Sequence, residues 1–184
     1  MANANNAFFY LVGTLFDVYM WIIMMRVLLQ VVRADFYNPI SQLIWQLTQP
    51  IVRPLQKILP KFRQWDSAAL ALLTVIAIVY IHAVAAILGY GVSVAGSLWY
   101  AALKIVVLAL NLFTFALFVQ AILSWVGPGV SNPAGSILWS MNEPLLRPVR
   151  RVIPPMSGLD LSPLVLIVVL QFANLLVPLP SIFR

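Results

Sequence analysis

Four stretches of this chain are apolar for longer than any helix in a soluble core requires. They run from about Phe8 to Val32, Ala68 to Leu88, Leu98 to Val126 and Pro163 to Ile182. Each offers about 20 residues or more, enough for a helix to cross ~30 Å of hydrocarbon. Only 9% of the 184 residues are charged, whereas a soluble domain carries about a quarter. The expected fold is an all-α membrane protein with four transmembrane helices. The first block has no Lys or Arg before Arg26, so it lacks the basic start of a secretory signal and reads as a span.

Charge placement sets the expected orientation. Eight of the eleven Lys/Arg fall in two segments between apolar blocks: Arg33, Arg53, Lys57, Lys61 and Arg63, then Arg147, Arg150 and Arg151. Basic residues beside spans follow the positive-inside rule and favour anionic headgroups, so the net charge of +6 points to a membrane surface and not to nucleic acid. Both segments follow an odd-numbered span, while residues 89–97 carry no charge. Both termini are thus expected outside and both basic loops in the cytoplasm. Gly89-Tyr90-Gly91 suits a turn between the second and third spans.

The chain also repeats itself at an offset of 94 residues. Asn38 to Asp66 aligns without a gap on Asn132 to Asp160, with eight of 29 positions identical, where ordinary frequencies give roughly two. The identical pairs are Asn38/Asn132, Pro39/Pro133, Trp45/Trp139, Pro50/Pro144, Arg53/Arg147, Pro54/Pro148, Pro60/Pro154 and Asp66/Asp160. Two units follow, residues 1–94 and 95–184, each a helix, a basic loop and a returning helix. An even number of spans separates the copies, so they are parallel repeats and not the inverted pairs common in secondary transporters.

Within each loop, Asn-Pro predicts an N-cap followed by proline at the first helical position. Ile40, Leu43, Ile44 and Leu47 then form the stripe of an amphipathic helix expected to lie in the membrane plane, with Trp45 and Trp139 as interfacial anchors. The prolines that follow, Pro50 and Pro54 or Pro144 and Pro148, predict a stepped path of short turns because each removes a donor and bends the residue before it. That stiff path would hold Arg53 and Arg147 in fixed directions. Arg53, Lys57, Arg147, Arg150 and Arg151 are the candidate contacts to a partner or to lipid phosphates. Asp66 and Asp160 read as caps of the returning spans, with pairing to a loop arginine as the alternative.

Asp35-Phe36-Tyr37-Asn38-Pro39, Gln49-Pro50-Ile51-Val52-Arg53-Pro54 and Asp66-Ser67 make the chain resemble the YggT (YlmG) family. Glu143-Pro144-Leu145-Leu146-Arg147-Pro148 and Asp160-Leu161-Ser162-Pro163 extend the resemblance into the second half. It implies a two-repeat protein of the bacterial inner membrane, linked to osmotic-stress tolerance and, through relatives, to cell division and to haem attachment in plastid cytochrome assembly. It implies no agreed biochemical activity.

Few residues offer chemistry. There is no cysteine and only one histidine, which excludes thiolate sites and any multi-histidine metal site within one chain. His82 could be a haem ligand, although bis-histidine ligation would need a second chain, and we read it as a hydrogen-bonded packing residue. Asp17 and Arg26 in the first span align with Asn111 and Gln120 in the third, so polar groups recur at equal depths and are expected to face the bundle interior. An Asp17–Asn111 hydrogen bond is the structural expectation, with a proton or cation site as its rival. Arg26 and Lys104 are expected to snorkel. The function expected is a non-catalytic membrane scaffold or assembly factor whose loops bind anionic lipid or a membrane or cytoplasmic protein, with a homo-oligomer among the partners to consider. The alternatives are an ion or osmolyte channel or transporter lined by Asp17, Asn111 and Gln120, and a haem-handling factor.

Overall fold

The computed structural model describes residues 2–60, 62, 65–126, 132–153 and 160–184; Lys61, Arg63 and Pro154 of the repeated loops lie outside that set. The first copy consists of α1 (Ala2–Val31), α2 (Pro39–Gln56) and α3 (Ser67–Leu88). The second consists of α4 (Val94–Val126), α5 (Pro133–Val152) and α6 (Ser162–Leu176), followed by a short 3₁₀ turn, Ser181–Phe183. Among the described residues the only extended pairing is an isolated bridge between Phe62 and Trp65.

Three helices, α1, α3 and α4, are long and apolar enough to cross a membrane. The fourth apolar block departs from expectation: α6 has 15 residues and stops at Leu176. Pro178 and Pro180 are the reason. Val177, directly before the first, is extended at φ −68°, ψ 122°, as a residue preceding proline prefers. At about 1.5 Å per residue, α6 covers only ~22 Å. Its last carbonyls are met by the chain's own end, since Arg184 donates to the backbone oxygens of Asn174 (3.0 Å) and Val177 (2.8 Å). This is a cationic cap where the helix dipole is negative.

α3 and α4 pack at the centre, with α1 beside α3 and α6 beside α4. Met20, Ile23, Val27, Leu73, Ile81 and Val84 are sealed in the main core, together with the small residues Ala69, Ala77 and Ala101, which let helix backbones approach. Phe115, Phe118, Phe172, Leu175, Val75 and Val79 point outward. Such a belt would be a large apolar liability in water and is neutral against lipid.

The amphipathic helices are where the sequence reading fails most clearly. α2 and α5 run unbroken through Pro50 and Pro54 and through Pro144 and Pro148, so the stepped path is replaced by one helix in each copy. Prolines four apart lie on one side of a helix, and all four are exposed. The lost hydrogen bonds therefore fall together on the outer side, while the inner side, with Val52 or Leu146 fully buried, stays intact. Asn38 caps α2 by accepting from the Ile40 N–H, and Asn132 caps α5 by accepting from Ala134.

α1 and α3 end alike. Ala34 N–H reaches Leu29 O (2.9 Å) and Tyr90 N–H reaches Ala85 O (2.8 Å), the bond that closes a left-handed helix stop. In α3 the left-handed residue is Gly89 (φ 74°), but in α1 it is Arg33 (φ 54°). A side chain there costs on the order of 1 kcal/mol.

Candidate functional site

The polar residues inside this bundle form two equivalent corners, where α2 meets α1 and α3 and where α5 meets α4 and α6. In the first copy Arg26 is 8% exposed, so it does not snorkel as expected. It donates to Thr48 Oγ1 (2.8 Å), Gln49 Oε1 (2.9 Å) and Asp66 Oδ2 (3.1 Å), tying α1 to α2 and to the start of α3. Asp66 caps α3 through Ala69 N–H and also accepts from Gln56 Nε2 (2.9 Å). Both readings of this aspartate therefore hold at once, except that its arginine comes from the span and not from the loop.

The second copy keeps the positions and moves the charges. At 26's equivalent stands Gln120, which accepts from Asn142 Nδ2 (2.7 Å), the equivalent of Thr48. At 49's stands Glu143 and at 56's stands Arg150. Arg150 donates to Glu143 Oε2 (2.7 Å) and Asp160 Oδ2 (2.8 Å), while Asp160 Oδ1 accepts from the Ser162 N–H (2.9 Å). Partial burial alone would raise the Asp160 carboxyl, but Ser162 and Arg150 together hold it below the ordinary carboxylate value. The Arg150 guanidinium, although burial works against its charge, is held above its ordinary value by Asp160 and Glu143. Arg150 is thus committed to internal pairs and is not the free docking residue that its position in a basic loop suggested.

Deeper in the bundle, the expected Asp17–Asn111 contact does not form. Lys104, 2% exposed, reaches Asp17 Oδ1 at 2.7 Å and lies 4.4 Å above the Tyr80 ring, so it too does not snorkel. Asn111 instead accepts from Asn174, whose own Oδ1 accepts from Arg184 (3.1 Å). A lysine one span away is a stronger partner for a carboxylate than an amide, and it has no equivalent cation in the first copy, where the aligned residue is Tyr10. His82 faces outward from α3 and is exposed, not packed.

On the outer faces of α2 and α5 the cations are open. Arg53, Lys57 and Arg151 are exposed, and none is ion-paired among the described residues. Arg147 is 67% exposed, and its ion pair among the described residues is the i,i+4 contact to Glu143 (3.2 Å). Trp45 and Trp139 are also exposed, Trp45 edge-on to Phe36 at 6.0 Å. The two helices touch, and Asn38 Nδ2 crosses between copies to Pro133 O and Ser136 Oγ, both at 2.8 Å.

A doubled unit of apolar helix, capped Pro-containing amphipathic helix and second apolar helix can be compared with known families. The CCB3/YggT family model matches residues 5–87 and again 99–180, one match per copy. The chain belongs to the CCB3/YggT family. It is 40% identical to an uncharacterized protein of Pseudomonas aeruginosa over 96% of this chain and 91% of that one. It is 36% identical to the uncharacterized protein YggT of Escherichia coli K12 over 92% and 88%. No solved structure matches. None of these relatives carries an enzymatic name.

Sequence reasoning overlooked Thr48, Gln56, Asn142, Tyr80 and Arg184, and gave Lys104 no partner. The repeat itself held a signal for most of them: 48/142, 56/150 and 80/174 are aligned positions at which at least one copy has a strongly polar residue beside an apolar run.

Proposed function

We propose that this protein is a non-catalytic scaffold of the bacterial inner membrane, whose interfacial helices α2 and α5 together present a cationic surface to an acidic protein partner in the cytoplasm. Osmotic-stress tolerance or division is the setting that the family resemblance suggests. One observation carries the reading: Arg26, Asp17, Asn111 and Gln120 inside the bundle are each engaged by another side chain, while Arg53, Lys57 and Arg151 on the outer faces are not ion-paired among the described residues. A channel or transporter needs intramembrane groups free to meet a solute. Here Asp17 is taken by Lys104 and Asn111 by Asn174, and Gln120 is taken by Asn142. Exposed, separated cations on two joined helices favour recognition of a complementary charged surface and its on-rate. With the N-terminus outside and α1, α3 and α4 crossing, this face lies on the cytoplasmic side.

The test is charge reversal at positions that make no internal contact. Arg53→Glu with Lys57→Glu is expected to release proteins cross-linked to the wild-type chain in cells while insertion and amount stay unchanged. Full retention of those proteins by the variant, with solute flux lost in reconstituted liposomes, sinks the scaffold in favour of the transporter.

A further inference from the structure

A cavity of about 300 Å³ opens where α1 ends and α2 begins, lined by Arg26, Gln30, Arg33, Ser41, Ile44 and Trp45 among others. That is the low end of small-ligand pockets. Its polar inventory is unbalanced. Asp66 also borders it, but both its oxygens are engaged, one by Ala69 N–H and the other by Arg26 and Gln56. Arg26 and Asp66 cancel, which leaves Arg33 as the cavity's uncompensated charge; no ion pair holds it among the described residues.

Ser41 is the second observation. It is 8% exposed, and its Oγ has no hydrogen-bond partner although it borders the cavity. A buried hydroxyl without a partner is a cost that a bound acceptor would remove. Leu29, Ile44, Phe36 and Trp45 supply an apolar wall beside these donors. The backbone marks the same place, because Arg33 occupies a left-handed position at which the other copy's aligned residue is Gly127. The chain thus carries a guanidinium at the cavity where its own repeat has no side chain.

We propose that this cavity binds the phosphate of a net-anionic membrane lipid, with Arg33 and Ser41 as donors and the aromatic and aliphatic wall against its glycerol and first methylenes. The aspartate bordering the cavity is already neutralised, so nothing there pairs with a headgroup ammonium and a zwitterionic lipid is disfavoured. A free phosphate would have the same donors but would leave the apolar wall empty. The site uses neither Arg53 nor Arg147 and does not rest on the docking reading.

The experiment follows the thermal midpoint of the purified full-length protein in detergent, with phosphatidylglycerol, phosphatidylcholine or inorganic phosphate titrated in. Phosphatidylglycerol is expected to raise the midpoint, and the other two to leave it unchanged. Ser41→Ala and Arg33→Gly are each expected to weaken the phosphatidylglycerol response about tenfold, as loss of a hydrogen bond to a charged group does. Arg33→Gly should do so while the lipid-free protein is at least as stable as wild type, because glycine suits φ 54° at that position. Arg53→Glu should leave the response intact. An equal effect of phosphatidylcholine, saturation by inorganic phosphate alone, or wild-type affinity in Arg33→Gly would each overturn the proposal.

Discussion

In the first copy the corner is held by a cation on α1, Arg26, which donates to neutral Gln49, while neutral Gln56 donates to Asp66. In the second α4 offers neutral Gln120, and the charges sit on α5 as Glu143 and Arg150. The aspartate at the head of the returning span, Asp66 or Asp160, takes an arginine in both. What the duplication preserved is the junction of three elements at one polar point. The location of the cation drifted. Burial differs accordingly, with Arg26 and Asp66 at 8% and 1% exposure against 29% each for Arg150 and Asp160.

Buried pairs are costly to break, so the largest expected effect lies in the first copy. Arg26→Gln, which installs the second copy's residue, leaves Asp66 charged and uncompensated, and is expected to cost about 3–5 kcal/mol. Adding Gln56→Arg places a cation where Arg150 stands in the other copy and should recover part of that loss. Thermal unfolding of both variants in detergent decides the matter. A double variant no more stable than the single would mean that the two corners are not interchangeable, and the comparison would break.

Much of the architecture was legible because lipid imposes simple rules. Length and apolarity marked α1, α3 and α4, and the Asn-Pro pairs marked the starts of α2 and α5. The prolines misled because their effect was judged per residue. Four-residue spacing gathers the lost hydrogen bonds on one exposed side, so the helix survives. The partners within the bundle were illegible for a different reason. Alignment of the copies brings Asp17 beside Asn111 in register, but register is not contact, and Lys104 lies on a different turn of α4 from Asn111. Nor does a basic-loop pattern separate Arg53, open to the outside, from Arg150, which is spent on two carboxylates.

The second test sharpens the contrast deeper in the bundle, where the first copy's Asp17 draws a cation from the second and Asn111 draws an amide from its own. Asp17→Asn alone strands Lys104, which is 2% exposed. The expected loss is about 2 kcal/mol, the scale of a hydrogen bond to a charged group. The effect is smaller than at Arg26 because Asp17 is itself 36% exposed. Lys104→Met added to Asp17→Asn should restore most of the stability, giving a favourable coupling in a double-mutant cycle. Additive losses would show that the pair does not hold these helices together.

The smallest expected effect is a pH response at the second corner. Asp160 is the carboxylate held below its ordinary value, by the Ser162 N–H and Arg150 working against partial burial. A carboxyl whose folded pKa is depressed contributes stability that is fully present above its unfolded value, near about 4, and disappears as pH falls through the folded value. The α5–α6 junction should therefore loosen only below about pH 4, while neutral and alkaline pH leave it unchanged. Arg150 adds nothing to this window, since its charge persists throughout. Placing a cysteine at Val152, which is 80% exposed, gives no contrast on its own. Ser162→Cys does, because Ser162 is fully buried against the junction and a thiol there becomes reactive only when α5 and α6 part. Its labelling rate, followed from pH 7 to pH 3 with a methanethiosulfonate reagent corrected for thiolate fraction, should rise at the acid end. In the background of Asp160→Asn the rate should be higher at pH 7 and nearly flat with pH. A rise of equal size in both backgrounds would assign the acid response to some other group.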